Sequence, residues 1–191
     1  RTTIQDPHAA PADRAGFTDG WFVPAMPDLN QRNPHVARYL IQNTLWWIEY
    51  AGLSGIREDT FGYADSQFLS DWAKAVTDEY PHFSMVGEEW SPNPAVVAHW
   101  QRGKANPDGH VPHMPSMMDF PVHVALRDAL LRPEGWDGGW MPLYEMLAND
   151  FLYPDPGRLV VFAENHDTSR LFAHLDGVEL DYVYQERRAK Q

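Results

Sequence analysis

Gly55-Ile56-Arg57-Glu58-Asp59 closes a run that begins at Leu53, between a helical pattern and a turn around Gly62. It reads as a strand that ends in charge. Side chains at i and i+2 of a strand share a face, so Arg57 and Asp59 point together and Glu58 points the other way. Two further runs have the same form. Phe83 to Glu88 ends in Gly87-Glu88-Glu89-Trp90, and Arg158 to Ala163 is followed by Glu164-Asn165-His166-Asp167. The last run is the most strand-like of all. Its unbroken Leu159-Val160-Val161-Phe162 suits a strand buried on both faces. Ser116 to Phe120 is a fourth, shorter candidate.

Helical patterns lie between these runs. Asn33-Pro34 pairs a capping side chain with Pro at the first helical position, and the pattern continues to about Tyr50, with Gly52 as its stop. Asp65 can cap a helix in which Phe68, Trp72, Val76 and Tyr80 share a face, ended by Pro81. A short helix is expected within Pro92 to Trp100, another over Val122 to Leu131, and one over Leu143 to Phe151. Gly103 to Pro115 reads as a polar loop. Residues 1–33, rich in Pro, Asp and Asn, read as a long surface loop. Strands that alternate with helices imply an α/β fold with a parallel sheet. In such folds the reactive groups sit at the C-terminal ends of the strands, where Asp59, Glu88 and Asp167 all fall.

The bulk numbers narrow the function. The chain has 191 residues, 43% of them apolar, and a net charge of -12. That charge disfavours nucleic acid and anionic membranes as partners. With no cysteine, disulfides and thiolate metal sites are excluded. No apolar run nears the ~20 residues of a membrane span. The opening Arg1-Thr2-Thr3-Ile4 has neither an initiator Met nor a leader pattern, so position 1 is expected to lie inside a longer protein. His8, His35, His82, His99, His110, His113, His123 and His174 show no metal-ligand spacing, and no metal ligand is expected.

Convergent carboxylates suit glycosidic bond cleavage. The leaving oxygen must be protonated by an acid, and the developing cation must be stabilised or trapped by a carboxylate about 5–5.5 Å from it. Taken alone, Arg57 and Asp59 could equally form a structural ion pair, and alternation cannot choose between Glu88 and Glu89.

Four stretches together resemble glycoside hydrolase family 13, the α-amylase family. Gly55-Ile56-Arg57-Glu58-Asp59 resembles its G-x-R-x-D nucleophile motif, and Gly87-Glu88-Glu89-Trp90 resembles its acid motif. Phe162 to Asp167 resembles its third acidic motif, which ends N-H-D. Met26-Pro27-Asp28-Leu29-Asn30 resembles a short motif ahead of the fourth barrel strand, in the form found between neopullulanases and oligo-1,6-glucosidases. Residues 28–34 and Trp46-Trp47-Ile48-Glu49-Tyr50 are similar to bacterial starch-utilisation α-amylases and neopullulanases.

The resemblance implies part of a (β/α)8 barrel, about strands four to seven. Residues 1–33 would be a loop ahead of barrel helix three, 34–170 the barrel units, and 171–191 a divergent end. It implies a retaining α-glucan hydrolase with Asp59 as nucleophile, Glu88 as acid and then base, and Asp167 holding hydroxyls and straining the ring. Arg57 would pair with Asp59, while His166, Asn165, Trp90 and Tyr63 would contact substrate. The partner is an α-glucan oligosaccharide or polysaccharide, and no cofactor is expected from these residues, although a Ca²⁺ ion could lie upstream. Similarity to starch-utilisation enzymes would imply a site outside the cytoplasm.

The family's D-x-x-x-N-H motif is absent, and with it a His. A complete barrel needs ~250 residues, so the chain alone is expected to be inactive. A transglycosylase of the same family is the alternative reading. A non-catalytic barrel module is a second, which the presence of all three carboxylates disfavours. Glu58 stands where a side chain should pack against a helix. It is expected to find a polar partner, or to reach solvent at an open barrel edge.

Overall fold

The computed structural model describes residues 8–136 and 138–171. The expected divergent end therefore lies outside the described residues beyond Leu171, as do residues 1–7 of the expected loop.

Helix α1 (Pro11–Asp19) occurs inside the expected loop. Pro11 at its start favours the helical φ, but none of its residues is buried. Without an apolar face it has no periodicity from which to recognise it. Helix α2 (Pro34–Ala51) starts where expected. The Asn33 side chain accepts the His35 N–H at 2.9 Å, and Gly52 ends the helix in the left-handed conformation at φ 62°.

Strand β1 (Gly55–Glu58) leads through a single 3-10 turn (Phe61–Tyr63) to helix α3 (Ser66–Glu79), capped by Asp65. Leu69, Trp72, Ala73 and Val76 of α3 are buried. Strand β2 (Ser84–Gly87), helix α4 (Pro94–Ala98), strand β3 (Ser116–Met117) and helix α5 (Phe120–Leu131) follow. Helix α6 (Met141–Leu147) is shorter than Leu143–Phe151, because the chain tightens into a 3-10 turn at Asp150–Leu152.

The sheet is parallel, in the order β1-β2-β3, with Arg57 opposite Val86 and Gly87 opposite Met117. Its core joins Met85 and Met117 of the sheet to Trp72 and Val76 of α3 and to Trp100 and Met114.

The segment Arg158–Ala163 does not form the expected strand. It contributes one parallel bridge, Met118 to Val160, and Val160 and Val161 are 42% and 63% exposed. An apolar run becomes a doubly buried strand only where neighbours cover both of its faces. Among the described residues this segment has a sheet neighbour on one edge alone.

Candidate active site

Three chain segments reach the same end of the sheet. Asp59 directly follows β1, and Glu88 directly follows β2. Asp167 follows the Val160 bridge on a tight turn, in which the Asn165 side-chain oxygen accepts the Asp167 N–H at 2.9 Å. Thr168 Oγ1 accepts the Asn165 N–H at 2.9 Å and closes the same turn. Asn165 is thus engaged in shaping the chain through its oxygen, the ordinary use of Asn in such turns.

One oxygen from each of Asp59, Glu88 and Asp167 lies within 4.8 Å of the others. Arg57 stands among them. It donates from Nη1 to Asp59 at 2.8 Å, and from Nη2 to Glu88 at 2.6 Å and to Asp167 at 3.5 Å. Among the described residues these carboxylates are the one cluster of three able to share a cation. The Arg57 guanidinium already supplies positive charge to each of them.

Glu88 is only 2% exposed. A buried carboxyl needs donors to replace its water. It has three: Arg57, Trp90 Nε1 at 2.7 Å, and the Thr60 N–H at 2.8 Å. Nothing in the sequence marks Thr60 for this role, because its donor is backbone and its φ of 47° is left-handed. Glu89 turns away and accepts from Trp100 Nε1 at 2.9 Å. The structure therefore brings Glu88, and not its neighbour, to Asp59 and Asp167.

Around this cluster, His166 Nε2 lies 3.1 Å from Asp167. The Trp90 ring packs on Phe120 with centroids 4.6 Å apart. Tyr63 stacks on Phe17 at 4.7 Å and meets Phe22 edge-on. Asp59 and Tyr63 border a cavity of about 700 Å³ beneath the segment 12–31. Glu58 borders the same cavity, outside the carboxylate cluster. The expected polar partner is not found: among the described residues the Glu58 side chain makes no hydrogen bond or ion pair. Burial pushes its carboxyl up to about 7, with help from Asp59 and against Arg57, so the acid adapts by holding its proton.

Residues 15–190 match the family model for the α-amylase catalytic domain. The chain belongs to the α-amylase catalytic-domain family. A cyclomaltodextrinase from a Bacillus species is 28% identical over 159 residues, covering 82% of this chain and 26% of that protein. A cyclomaltodextrin glucanotransferase from Klebsiella oxytoca is 26% identical over 155 residues, covering 76% of this chain and 22% of that protein. Among solved structures, the acarbose-bound α-amylase of Geobacillus thermoleovorans superposes with a TM-score of 0.68 at 27% identity. That superposition covers 94% of this chain and 40% of that one. The chain spans 11% of the β/α-amylase of Paenibacillus polymyxa that it also matches. The α-amylase catalytic domain is a (β/α)8 barrel, and β1, β2, β3 and the Val160 bridge form consecutive parallel parts of it. In such barrels reactive groups gather at the C-terminal ends of the strands, where this cluster lies.

Proposed function

We propose that the full-length protein carrying this chain is a retaining hydrolase of internal α-1,4-glucosidic bonds. Its substrates are starch, maltooligosaccharides, cyclodextrins or pullulan. The observation that carries the reading is the meeting of three carboxylates within 4.8 Å, around one guanidinium, at one end of a parallel sheet. That spacing suits attack by one carboxylate on the sugar carbon while a second serves the leaving oxygen, a pair about 5–5.5 Å apart in retaining enzymes.

Asp59 is the nucleophile. Its oxygen bonds to the anomeric carbon as the glycosidic bond breaks, and Glu88 gives its proton to the departing oxygen. Glu88 then takes a proton from water, whose oxygen displaces Asp59 and restores it. Asp167 and His166 hold hydroxyls of the sugar at the cleavage point, and Arg57 holds Asp59 in position. Trp90 and Tyr63 are walls of the cleft, and Asn165 shapes the turn that presents Asp167.

Trapping tests this. A slow fluoro-sugar substrate incubated with the full-length protein is expected to leave one glycosyl group on Asp59, found by peptide mass spectrometry. A label on any other residue, or full activity in Asp59→Ala, would sink the assignment. The relative named as a glucanotransferase supports one alternative, transfer in place of hydrolysis. Chains longer than the starting maltotetraose would identify it. By itself the chain is expected to release negligible reducing sugar from starch, because its Asp59 side chain is 59% exposed and water-exposed charges act weakly.

A further inference from the structure

Behind the carboxylate cluster lies a second acid, Glu89. It is 8% exposed and projects from the other side of the chain that carries Glu88. Its Oε2 accepts the indole N–H of Trp100 at 2.9 Å, and the same oxygen lies against Gly62 so closely that a methyl group there would collide with it. Gly62 is the middle residue of the 3-10 turn Phe61–Tyr63, two residues beyond Thr60 and three beyond Asp59. The Trp100 ring is itself fixed. It meets Phe61 of that turn edge-on at 5.5 Å, with His99 and His110 against it at 4.8 and 5.4 Å.

From the front, the turn is held by Glu88, whose side chain takes the Thr60 N–H and whose carbonyl takes the Phe61 N–H at 2.9 Å. Thr60 is left-handed there, a conformation unfavourable for a β-branched residue that persists only where its surroundings impose it. A turn pulled from the front into an unfavourable conformation needs support from behind. Glu89 and Trp100 occupy that place.

We infer that Glu89 is a positioning residue: its carboxylate, oriented by Trp100, backs the turn at Gly62 and so sets where Asp59 stands relative to Glu88. The inference rests on the catalytic reading of Asp59 and Glu88 above. Burial pushes Glu89 up to about 7 against the pull of the Trp100 N–H, with Glu88 adding to the rise. Keeping an acid there is therefore unfavourable, and an apolar side chain would fill the space more easily.

The experiment uses the full-length protein with maltotetraose, comparing Glu89→Gln, Glu89→Ala, Trp100→Phe and Asp59→Ala. Glu89→Gln keeps an oxygen that can accept from Trp100. It is expected to retain kcat within about threefold, whereas Glu89→Ala loses about 10- to 100-fold in kcat with KM little changed, the size of effect that follows a misplacement near 1 Å. Trp100→Phe keeps an aromatic ring at the site and removes the donor, with an expected loss of about 3- to 10-fold in kcat. The inference is overturned if Glu89→Ala matches wild-type kcat, or if Glu89→Gln is as impaired as Glu89→Ala. Should Glu89→Ala fail to fold, Trp100→Phe decides, and an unchanged kcat there overturns it. Asp59→Ala separates the two levels. If Asp59→Ala is inactive while the Glu89 and Trp100 variants are normal, only the positioning role falls. If Asp59→Ala is active, the reading of the whole site falls.

Discussion

The end of β2 and the segment 158–167 deliver carboxyls to the same place by different means. β2 has a hydrogen-bonded neighbour on each side, and Met85 and Gly87 are buried along it. The rungs continue past its end, with the Glu88 N–H reaching the Glu58 carbonyl at 3.0 Å. Glu88 then finds three donors. The segment 158–167 has a single bridge at Val160, an edge-on contact of Phe162 with Phe120, and a turn shaped by Asn165. Asp167 meets Arg57 at 3.5 Å, the longest of the three arginine contacts. A reactive group can thus be placed redundantly by a sheet or by a short series of local contacts, and the two arrangements should fail differently.

The sharpest contrast lies in activity. In the full-length protein Glu88→Gln is expected to lower kcat by about 10²–10⁴-fold, the range for loss of a general acid. A smaller loss in steady-state assays would mean that β2 does not carry the acid.

Stability separates the regions next. Met117 of β3 is fully buried, and Met117→Ala should destabilise the chain by about 2–5 kcal/mol. Val161, 63% exposed, should lose no more than about 0.5 kcal/mol on change to Ala. Urea titrations of both variants measure this, and equal losses would break the comparison.

Glu58 sharpens it further on the β1 side. Its folded carboxyl titrates near 7 against an ordinary 4.5, so between those values the folded state binds more protons than the unfolded chain. Stability from this group is full below about pH 4.5 and is lost as pH rises through 7. Glu58→Gln should therefore gain about 2 kcal/mol over the parent at pH 8 and little at pH 4.5, read from thermal midpoints. An equal gain at both pH values would show that the effect is packing and not charge. The smallest effect is expected at the turn: Asn165→Ala should reduce kcat by about 3- to 10-fold, because Asp167 keeps Arg57 as a partner.

Much of this was legible from residue types. Asn33 and Asp65 cap the helices they precede, since a short acceptor before an apolar pattern has few other uses. Alternation placed Arg57 with Asp59 and set Glu58 apart, and the sheet register keeps that order. Alternation could not choose between Glu88 and Glu89. Both are buried acids, and their neighbours Arg57, Thr60 and Trp100 are distant in sequence or act through backbone. The helix at 11–19 was invisible because none of its residues is fully buried. The run 159–162 was over-read for the opposite reason. Its composition reports what it could bury, while its exposure depends on neighbours that local sequence does not contain.

Thr60 places a trade at the centre of the cleft. Its left-handed backbone is a conformation that glycine adopts without strain. Thr60→Gly would relieve that strain and would also let the segment between Asp59 and Tyr63 explore more shapes when unfolded and when folded. A search for heat-resistant variants could retain such a change and lose turnover, while selection for turnover would reject it. The awkward residue in the turn is thus one at which resistance to heat and precision of attack pull in opposite directions.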